Sequence, residues 1–339
     1  MVLRYLDARK IRNLILCEWE KLRRVIRPQA RPYISIIEST NICRLGCPYC
    51  PTGAKRPSGR RKSFIARDQV SRLLDEAGPY LVTANLFNWG EPLLHPEIGA
   101  LVKLCHDRRL ATFISTTLNI ADLEVLTQVC QANLDYLIVS ISGATQPVYE
   151  RYHRRGQVHQ VWRNLEYLST LRSRLKLDRP LLDVKYLLFN YNRTEVELAR
   201  RLARRAGADI FRVLKAGGAA EDVIEGANRT PPEGLQPGLC HHLWQSVTLN
   251  ADGSLPPCCY LYFQEDDFAD SFSGGLVELR SNDLFVTARK FFNPAAVSEL
   301  PPNLRHPCLK CNLVHQQPHL QEYLKTNPLA RLGHRTGGP

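Results

Sequence analysis

Tyr33-Ile34-Ser35-Ile36-Ile37-Glu38-Ser39-Thr40-Asn41-Ile42-Cys43-Arg44-Leu45-Gly46-Cys47-Pro48-Tyr49-Cys50 joins a strand-like apolar run to three closely spaced cysteines. The run is short and rich in β-branched residues, as a buried strand is. The cysteines form a C-x₃-C-x₂-C set with the aromatic Tyr49 just ahead of the last thiol. Three thiolates leave a tetrahedral zinc site one ligand short, and leave one iron of a four-iron cube without a cysteine. A cube held in this way presents an open iron to an outside ligand. A zinc loop with a remote fourth ligand and a chance group of buried thiols are the competing readings.

Beyond Pro32 the chain alternates strand-like and helical patterns six times. Strand-like runs cover 33–40, 81–88, 111–117, 136–142, 182–189 and 209–215. Helical spacing covers roughly 66–77, 95–109, 121–132, 145–174 in two pieces, and 194–206, with Gly207 placed as a C-terminal cap. Each helix is long enough to return the chain for parallel pairing with right-handed crossovers. Six such units fall short of a closed eight-strand barrel. They predict an α/β fold, a partial (β/α)6 TIM-type barrel with a small C-terminal domain. Ligands collect at the C-terminal ends of strands in such sheets, and the cysteine loop follows one such end.

The expected boundaries are a basic amphipathic helix over 1–31, the partial barrel over 32–216, a linker over 217–239, a cysteine-bearing domain over 240–320 and a tail over 321–339. Gly217-Gly218 and Pro231-Pro232-Glu233-Gly234 mark the linker. Ser246-Val247-Thr248-Leu249 before Asn250-Ala251-Asp252-Gly253 predicts a strand entering a hairpin turn.

The 339 residues are 44% hydrophobic, enough for a large core, and contain no apolar run near the ~20 residues that span a bilayer. Eleven cysteines without an export signal point to reduced thiols, metal ligation and a cytoplasmic location. The formal charge is +12, and residues 1–31 carry nine Lys or Arg against three acids. No nucleic-acid-binding motif accompanies that charge, so no nucleic-acid partner is expected. Ile11, Leu14, Ile15, Trp19, Leu22, Val25 and Ile26 recur at helical spacing among Lys10, Arg12, Lys21, Arg23 and Arg24. This stripe is expected to pack on the protein's own barrel, with peripheral membrane contact or a partner as the alternative.

Further polar groups stand at strand ends. Asn88-Trp89-Gly90-Glu91-Pro92 follows the second run, Ser115-Thr116-Thr117 ends the third and Ser140-Ile141-Ser142-Gly143 ends the fourth. A glycine there admits a ligand close to the backbone, a carboxylate can hold an ammonium group, and hydroxyls bond ligand oxygens or simply cap helices. Lys185 and Lys215, on the fifth and sixth runs, either face the barrel interior or are solvated. Cys240, Cys258, Cys308 and Cys311 form a second set, which suits zinc and a complete four-iron cluster equally well. The Gly253 turn is expected to place Cys240 and Cys258 across a two-strand ribbon, and Cys259 can exchange roles with Cys258. Cys17, Cys105 and Cys130 read as small core residues.

The first cysteine set, its aromatic residue and Gly90-Glu91-Pro92 together resemble the signature of the radical S-adenosylmethionine (SAM) superfamily. Trp89 replaces that family's usual first glycine, and Ser142 stands where its Ser-x-Asp-Gly pattern has aspartate. The resemblance implies a SAM-binding [4Fe–4S] cluster on Cys43, Cys47 and Cys50. It implies SAM contacts from Tyr49, Asn88, Gly90, Glu91, Pro92, Thr116, Ser140 and Arg154. Glu91 would meet the SAM amino group and Arg154 its carboxylate, with Arg151 and Arg155 as rivals. The spacing C-x₁₂-G-x₄-C, then C-x₂-C and no later cysteine, is similar to the twitch form of the SPASM auxiliary domain. This implies one auxiliary [4Fe–4S] cluster on Cys240, Cys258, Cys308 and Cys311.

The implied activity is reductive SAM cleavage and hydrogen abstraction, fed by a donor such as flavodoxin or ferredoxin. The expected substrate is a small sugar- or aminocyclitol-like alcohol, dehydrogenated with the auxiliary cluster as electron acceptor. Alternatives are a peptide- or protein-modifying SPASM maturase, a radical epimerase and a catalytically inactive iron–sulfur regulatory protein.

Overall fold

The computed structural model describes residues 2–217, 222, 238–271 and 275–327. Most of the expected linker, and the tail beyond residue 327, lie outside the described residues. Strands β1 (Ile34–Ile37), β2 (Thr83–Asn85), β3 (Ala111–Thr116), β4 (Tyr136–Ile141), β5 (Leu181–Leu188) and β6 (Ile210–Lys215) fall within the six expected runs to a residue. Between them lie α2 (Arg67–Ala77), α3 (Ile98–Asp107), α4 (Glu124–Gln131), α5 (Gln146–Tyr152), α6 (Val158–Arg174) and α7 (Val196–Arg205), with α1 (Ala8–Leu22) ahead of β1. All pairings are parallel and the sheet order is β6-β5-β4-β3-β2-β1-β7, an open partial barrel with β6 and β7 at its edges.

Strand β7 (Ser246–Leu249) corrects an expectation. It does not form half of a two-strand ribbon but pairs parallel to β1, Ile34 opposite Ser246 through Ile37 opposite Leu249. All four of its residues are buried, which the edge of an existing sheet provides and an isolated ribbon does not. The turn after it is present, with the Gly253 amide on the Asn250 carbonyl at 2.9 Å and Gly253 at φ +91°. Among the described residues beyond the turn, the strand-like pairing is an isolated antiparallel bridge between Leu255 and Ala269.

Side chains alternate across each strand. Ile37, Ala84, Ile114, Leu137, Val139, Ile141, Leu182, Val184 and Tyr186 face one way, into a core shared with Leu73, Leu101, Leu126, Leu165 and Ala203 of the helices. Phe113, Ser115, Tyr136, Ile138, Ser140, Asp183, Lys185 and Arg212 therefore take the concave face. Gly207 ends α7 as expected, at φ +85°, and a Cβ there would lie 2.0 Å from the Ser169 hydroxyl. Cys17, Cys105 and Cys130 are buried as expected.

A second core joins Leu243 and Trp244 of α8 (His242–Gln245) to Phe285 and Ala288 of α9 (Asp283–Lys290), with Phe268, Phe291, Leu309, Val314 and Cys17. Its contact with α1 overturns the expected orientation of that helix. The buried face is Lys10, Asn13, Cys17 and Glu20, while Ile11, Ile15, Trp19 and Leu22 face outward. Specific hydrogen bonds set this rotation. Lys10 donates to the Arg109 carbonyl, Asn13 bonds both backbone groups of Arg31, and Glu20 accepts from the amides of Gln29 and Ala30. Among the described residues no helix is long and apolar enough to cross a membrane.

Candidate active site

The cysteine loop leaves the C-terminal end of β1, and backbone bonds fold it back on itself. Cys50 donates to the Cys47 carbonyl at 3.3 Å and Ala54 to the Cys50 carbonyl at 2.8 Å. Asn41 ties down the returning segment, donating to the Arg61 carbonyl at 2.8 Å and accepting from the Ser63 amide at 3.0 Å. Burial pushes the Cys43 thiol up to about 11 and the Cys47 thiol further. Cys50 raises both, Cys43 raises Cys47, and the Arg155 charge pulls the pair the other way. The three thiols thus lie close enough to influence one another's charge.

The Asn88–Pro92 loop lies directly against this one. The Glu91 amide donates to the Ile42 carbonyl at 2.8 Å. A Cβ on Gly90 would sit 2.0 Å from the Thr40 carbonyl, so only glycine permits the approach. Pro92 opens the short helical turn Pro92–Leu94. Asn88 satisfies its amide by donating to the Cys259 carbonyl and accepting from the Trp89 indole, both at 3.2 Å.

Glu91 is bonded within the protein. Its Oε1 accepts from the Thr116 hydroxyl at 2.6 Å and the Leu93 amide at 3.3 Å, and its Oε2 accepts from the Thr117 amide at 2.9 Å and hydroxyl at 2.8 Å. A carboxylate offers about four acceptor sites, and all are used within the protein. Burial raises its pKa against the pull of those donors. Glu91 thus ties the Asn88–Pro92 loop to the tip of β3.

The same geometry corrects Thr116. Strand alternation turns it with Ile114 towards the core, where its hydroxyl serves Glu91. Ser115, on the concave face, is the hydroxyl that sequence reasoning missed; period-two alternation along Phe113–Thr116 is the signal that finds it. Ser140 shares that face, opposite Lys185 in the β4–β5 register, and neither Ser115 nor Ser140 makes a side-chain hydrogen bond among the described residues. Ser142 instead bonds the Tyr149 carbonyl at 3.0 Å and His153 Nδ1 at 2.7 Å, fixing α5. Lys185 is half-buried and makes no hydrogen bond or ion pair among the described residues. Burial lowers its pKa, Arg212 lowers it further and Asp183 opposes both. Lys215 is exposed.

Of the three arginines, Arg154 meets the cysteine loop through its backbone, its carbonyl accepting from Gly46 at 3.0 Å, and its side chain is exposed. Arg151 covers the Tyr191 ring at 3.9 Å. Arg155 has its guanidinium against Gly46 and its charge on Cys43 and Cys47, which makes it the better candidate for an anionic group at the site. Tyr49 donates to the Asp222 carboxylate and packs near Tyr152 and Phe189, with ring centroids 6.1 and 6.2 Å away.

The second thiol set is not carried on a ribbon, since β7 pairs with β1. Cys240 precedes α8, whose first amides at His242 and Leu243 pull its thiol down while burial, aided by Cys311, pushes it up to about 12. Cys308 is the second residue of the short turn Pro307–Lys310 and Cys311 follows that turn, which the Cys308 amide on His306 Nδ1 holds at 3.1 Å. Burial raises Cys308 and Cys258 well above the usual thiol range, and Cys240 and Cys311 add to both. Cys258 thus feels the charge of Cys240 and Cys311, and Cys308 that of Cys258. Cys259 faces His242, its Sγ 4.0 Å from Nε2.

Among the described residues no three His, Cys, Asp or Glu side chains are drawn together as ligands of a single ion are. The fit of a cluster rests instead on the chemistry of the donor sets. Three thiols in one loop beside a close-packed glycine loop suit a cube with one open iron, and four thiols suit a fully ligated one.

Comparison with known proteins gives the same reading. A model of the Radical SAM superfamily matches residues 37–206, half of the chain. The PqqA peptide cyclase of Bradyrhizobium diazoefficiens is 26% identical over 162 residues, 48% of this chain and 41% of that protein. The AdoMet-dependent heme synthase of Methanosarcina barkeri is 24% identical over 185 residues, 54% of this chain and 50% of that one. The matches thus span half or less of these curated relatives. Streptococcus suis SuiB bound to precursor peptide SuiA superimposes with a TM-score of 0.60 at 11% identity, covering 90% of this chain and 74% of SuiB. The anSMEcpe structure with bound AdoMet and Cp18Cys peptide gives 0.51 at 12% identity, covering 76% and 83%. At such identities the two structures show a shared fold. With the family match spanning the three-cysteine loop and the barrel strands that surround it, the chain belongs to the radical SAM superfamily.

Proposed function

We propose that this radical SAM enzyme modifies a peptide or protein, removing hydrogen from a side chain and passing an electron to one auxiliary [4Fe–4S] cluster. The observation that carries the oxidative part is the presence of two separate thiol sets in one chain, three beside the glycine loop and four in the C-terminal region. The substrate class draws its support from the PqqA peptide cyclase and from SuiB with its precursor peptide. Dehydrogenation of a small molecule, the first expectation from the sequence, becomes the second reading and keeps the support of the heme synthase relative.

Cys43, Cys47 and Cys50 would hold the first cluster and leave one iron to SAM, and Cys240, Cys258, Cys308 and Cys311 would hold the second. When bound, cluster and SAM supply a 5′-deoxyadenosyl radical able to take a hydrogen atom. The protein's part is placement. Gly90 allows the loop at Pro92 to close on the cysteine loop, Glu91 locks that closure, and Arg155 offers a positive charge beside it. Ser115, Ser140 and Lys185 furnish polar contacts on the concave face, where substrate must sit within reach of the radical carbon.

The test is co-expression with short peptides encoded beside its gene, read by mass spectrometry. A peptide that loses two hydrogens with the wild-type enzyme, and not with Cys43→Ala/Cys47→Ala/Cys50→Ala, supports the proposal. An unaltered peptide set, together with oxidation of a small alcohol by the same enzyme, contradicts it.

A further inference from the structure

Helix α1 presents to solvent a face that a water-soluble surface helix normally buries. Ile11, Ile15, Trp19 and Leu22 lie along one line of the helix and are 45%, 62%, 55% and 68% exposed. Their spacing of four, four and three residues keeps them on one side over the whole length of the helix. Leu3 and Leu16 extend the same exposed apolar surface. Arg9, Arg12 and Arg23 are exposed on the neighbouring edge.

The acids of this segment do not offset these cations on the outer face. Asp7 caps the helix, accepting from the Lys10 amide at 2.9 Å. Glu18 receives Lys21, Tyr33 and Gln245, and Glu20 is buried on two backbone amides. Rotating the helix to bury its apolar stripe would break the bonds of Lys10, Asn13 and Glu20, so this face stays outward. Two copies meeting through it would bring Arg9, Arg12 and Arg23 against a like-charged face with no exposed acid on the helix between Ala8 and Leu22 to pair with. The combination of apolar side chains, one tryptophan and a cationic edge complements an anionic lipid surface.

We propose that α1 lies flat on an anionic membrane, with Ile11, Ile15, Trp19 and Leu22 inserted at the headgroup boundary and Arg9, Arg12 and Arg23 on lipid phosphates. Its 15 residues extend about 22 Å along the surface. The opposite face of α1 holds the enzyme through Lys10, Asn13, Cys17 and Glu20, so the helix carries the barrel to the membrane. This docking is independent of which substrate the barrel accepts.

The experiment uses the full-length, cluster-loaded protein with vesicles of phosphatidylcholine alone or mixed equally with phosphatidylglycerol, read by co-sedimentation and tryptophan emission. Binding to the anionic vesicles, with a blue shift from Trp19, is expected. Ile15→Ser/Trp19→Ser abolishes the binding and the shift. Arg9→Gln/Arg12→Gln/Arg23→Gln weakens binding by about a hundredfold, since each cation near an anionic surface contributes roughly fivefold. All variants should cleave SAM at the wild-type rate, which shows that they are folded. Absence of binding to anionic vesicles overturns the proposal, as does binding that both sets of substitutions leave unchanged. A concentration-dependent dimer that Ile15→Ser/Trp19→Ser dissolves, or capture of an acidic protein without vesicle binding, assigns the face to another partner and equally overturns it.

Discussion

Replacing Glu91 by Gln separates a positioning role from direct contact with SAM. Four donors converge on this buried carboxylate, two on each oxygen: the Thr116 hydroxyl and Leu93 amide, and the Thr117 amide and hydroxyl. A glutamine side chain has one acceptor oxygen, which can serve one of these pairs. The threonine hydroxyl of the other pair can rotate and accept from the new NH₂ group. The backbone amide of that pair cannot, so either Thr117 or Leu93 keeps an unsatisfied N–H in a buried site. One such orphan costs about 1–3 kcal/mol, and the loss of charge-assisted bonds adds to it. Denaturant unfolding under anaerobic conditions should show that loss. SAM titration should show weaker binding, because the Gly90 backbone is no longer held against Thr40 and Ile42. Thr117→Ala, which removes one donor, should move both measurements in the same direction by a smaller amount. A Glu91→Gln protein of native stability that has lost SAM affinity, beside a Thr117→Ala protein with normal affinity, would show instead that the carboxylate touches SAM.

Glu38, buried beneath the Trp89 and Ala251 amides, has its pKa pushed from 4.5 up to about 7 by burial, opposed by those two amides. A raised carboxylate binds its proton more tightly in the folded state, so its contribution to stability is complete below pH ~4.5 and declines by about 3 kcal/mol as pH rises through 7. Unfolding free energies of wild type and Glu38→Gln should accordingly converge, or cross, in the variant's favour between pH 5 and 8, and a pH-independent difference refutes the assignment. Cys258→Ala should remove about four irons per chain and Cys259→Ala none; the reverse result would exchange the two ligands. Arg155→Gln should weaken SAM or substrate binding more than Arg154→Gln in parallel titrations, and equal effects would remove Arg155 from the site.

Much of this architecture was legible because the signals were local. Each βα unit combines a β-branched run with a helical apolar period, so the strands and helices from β1 to β6 could be placed closely. Strand β7 is four residues long and its partner β1 lies more than 200 residues earlier, and no local pattern announces a parallel pairing of that range. The helical period of α1 was readable, but its orientation depended on where Lys10, Asn13 and Glu20 find backbone partners, and those partners are tertiary. The two groups of cysteines stood out by their spacing, while their assignment to clusters came from the family resemblance. The donors of Glu91 were not legible from its own loop, because the tip of β3 supplies three of the four. For Thr116, alternation along β3 already favoured Ser115 for the concave face.

Two clusters on two thiol sets, only the first of them serving SAM, is the arrangement proposed for this chain. The most direct measurement is iron content together with 5′-deoxyadenosine formation, on anaerobically reconstituted wild type and on Cys43→Ala/Cys47→Ala/Cys50→Ala. The account predicts about eight irons per chain and reductant-dependent 5′-deoxyadenosine for the wild type, and about four irons with no 5′-deoxyadenosine for the variant. A variant that still forms 5′-deoxyadenosine, or a wild-type chain whose second set is filled with stoichiometric zinc, would contradict it.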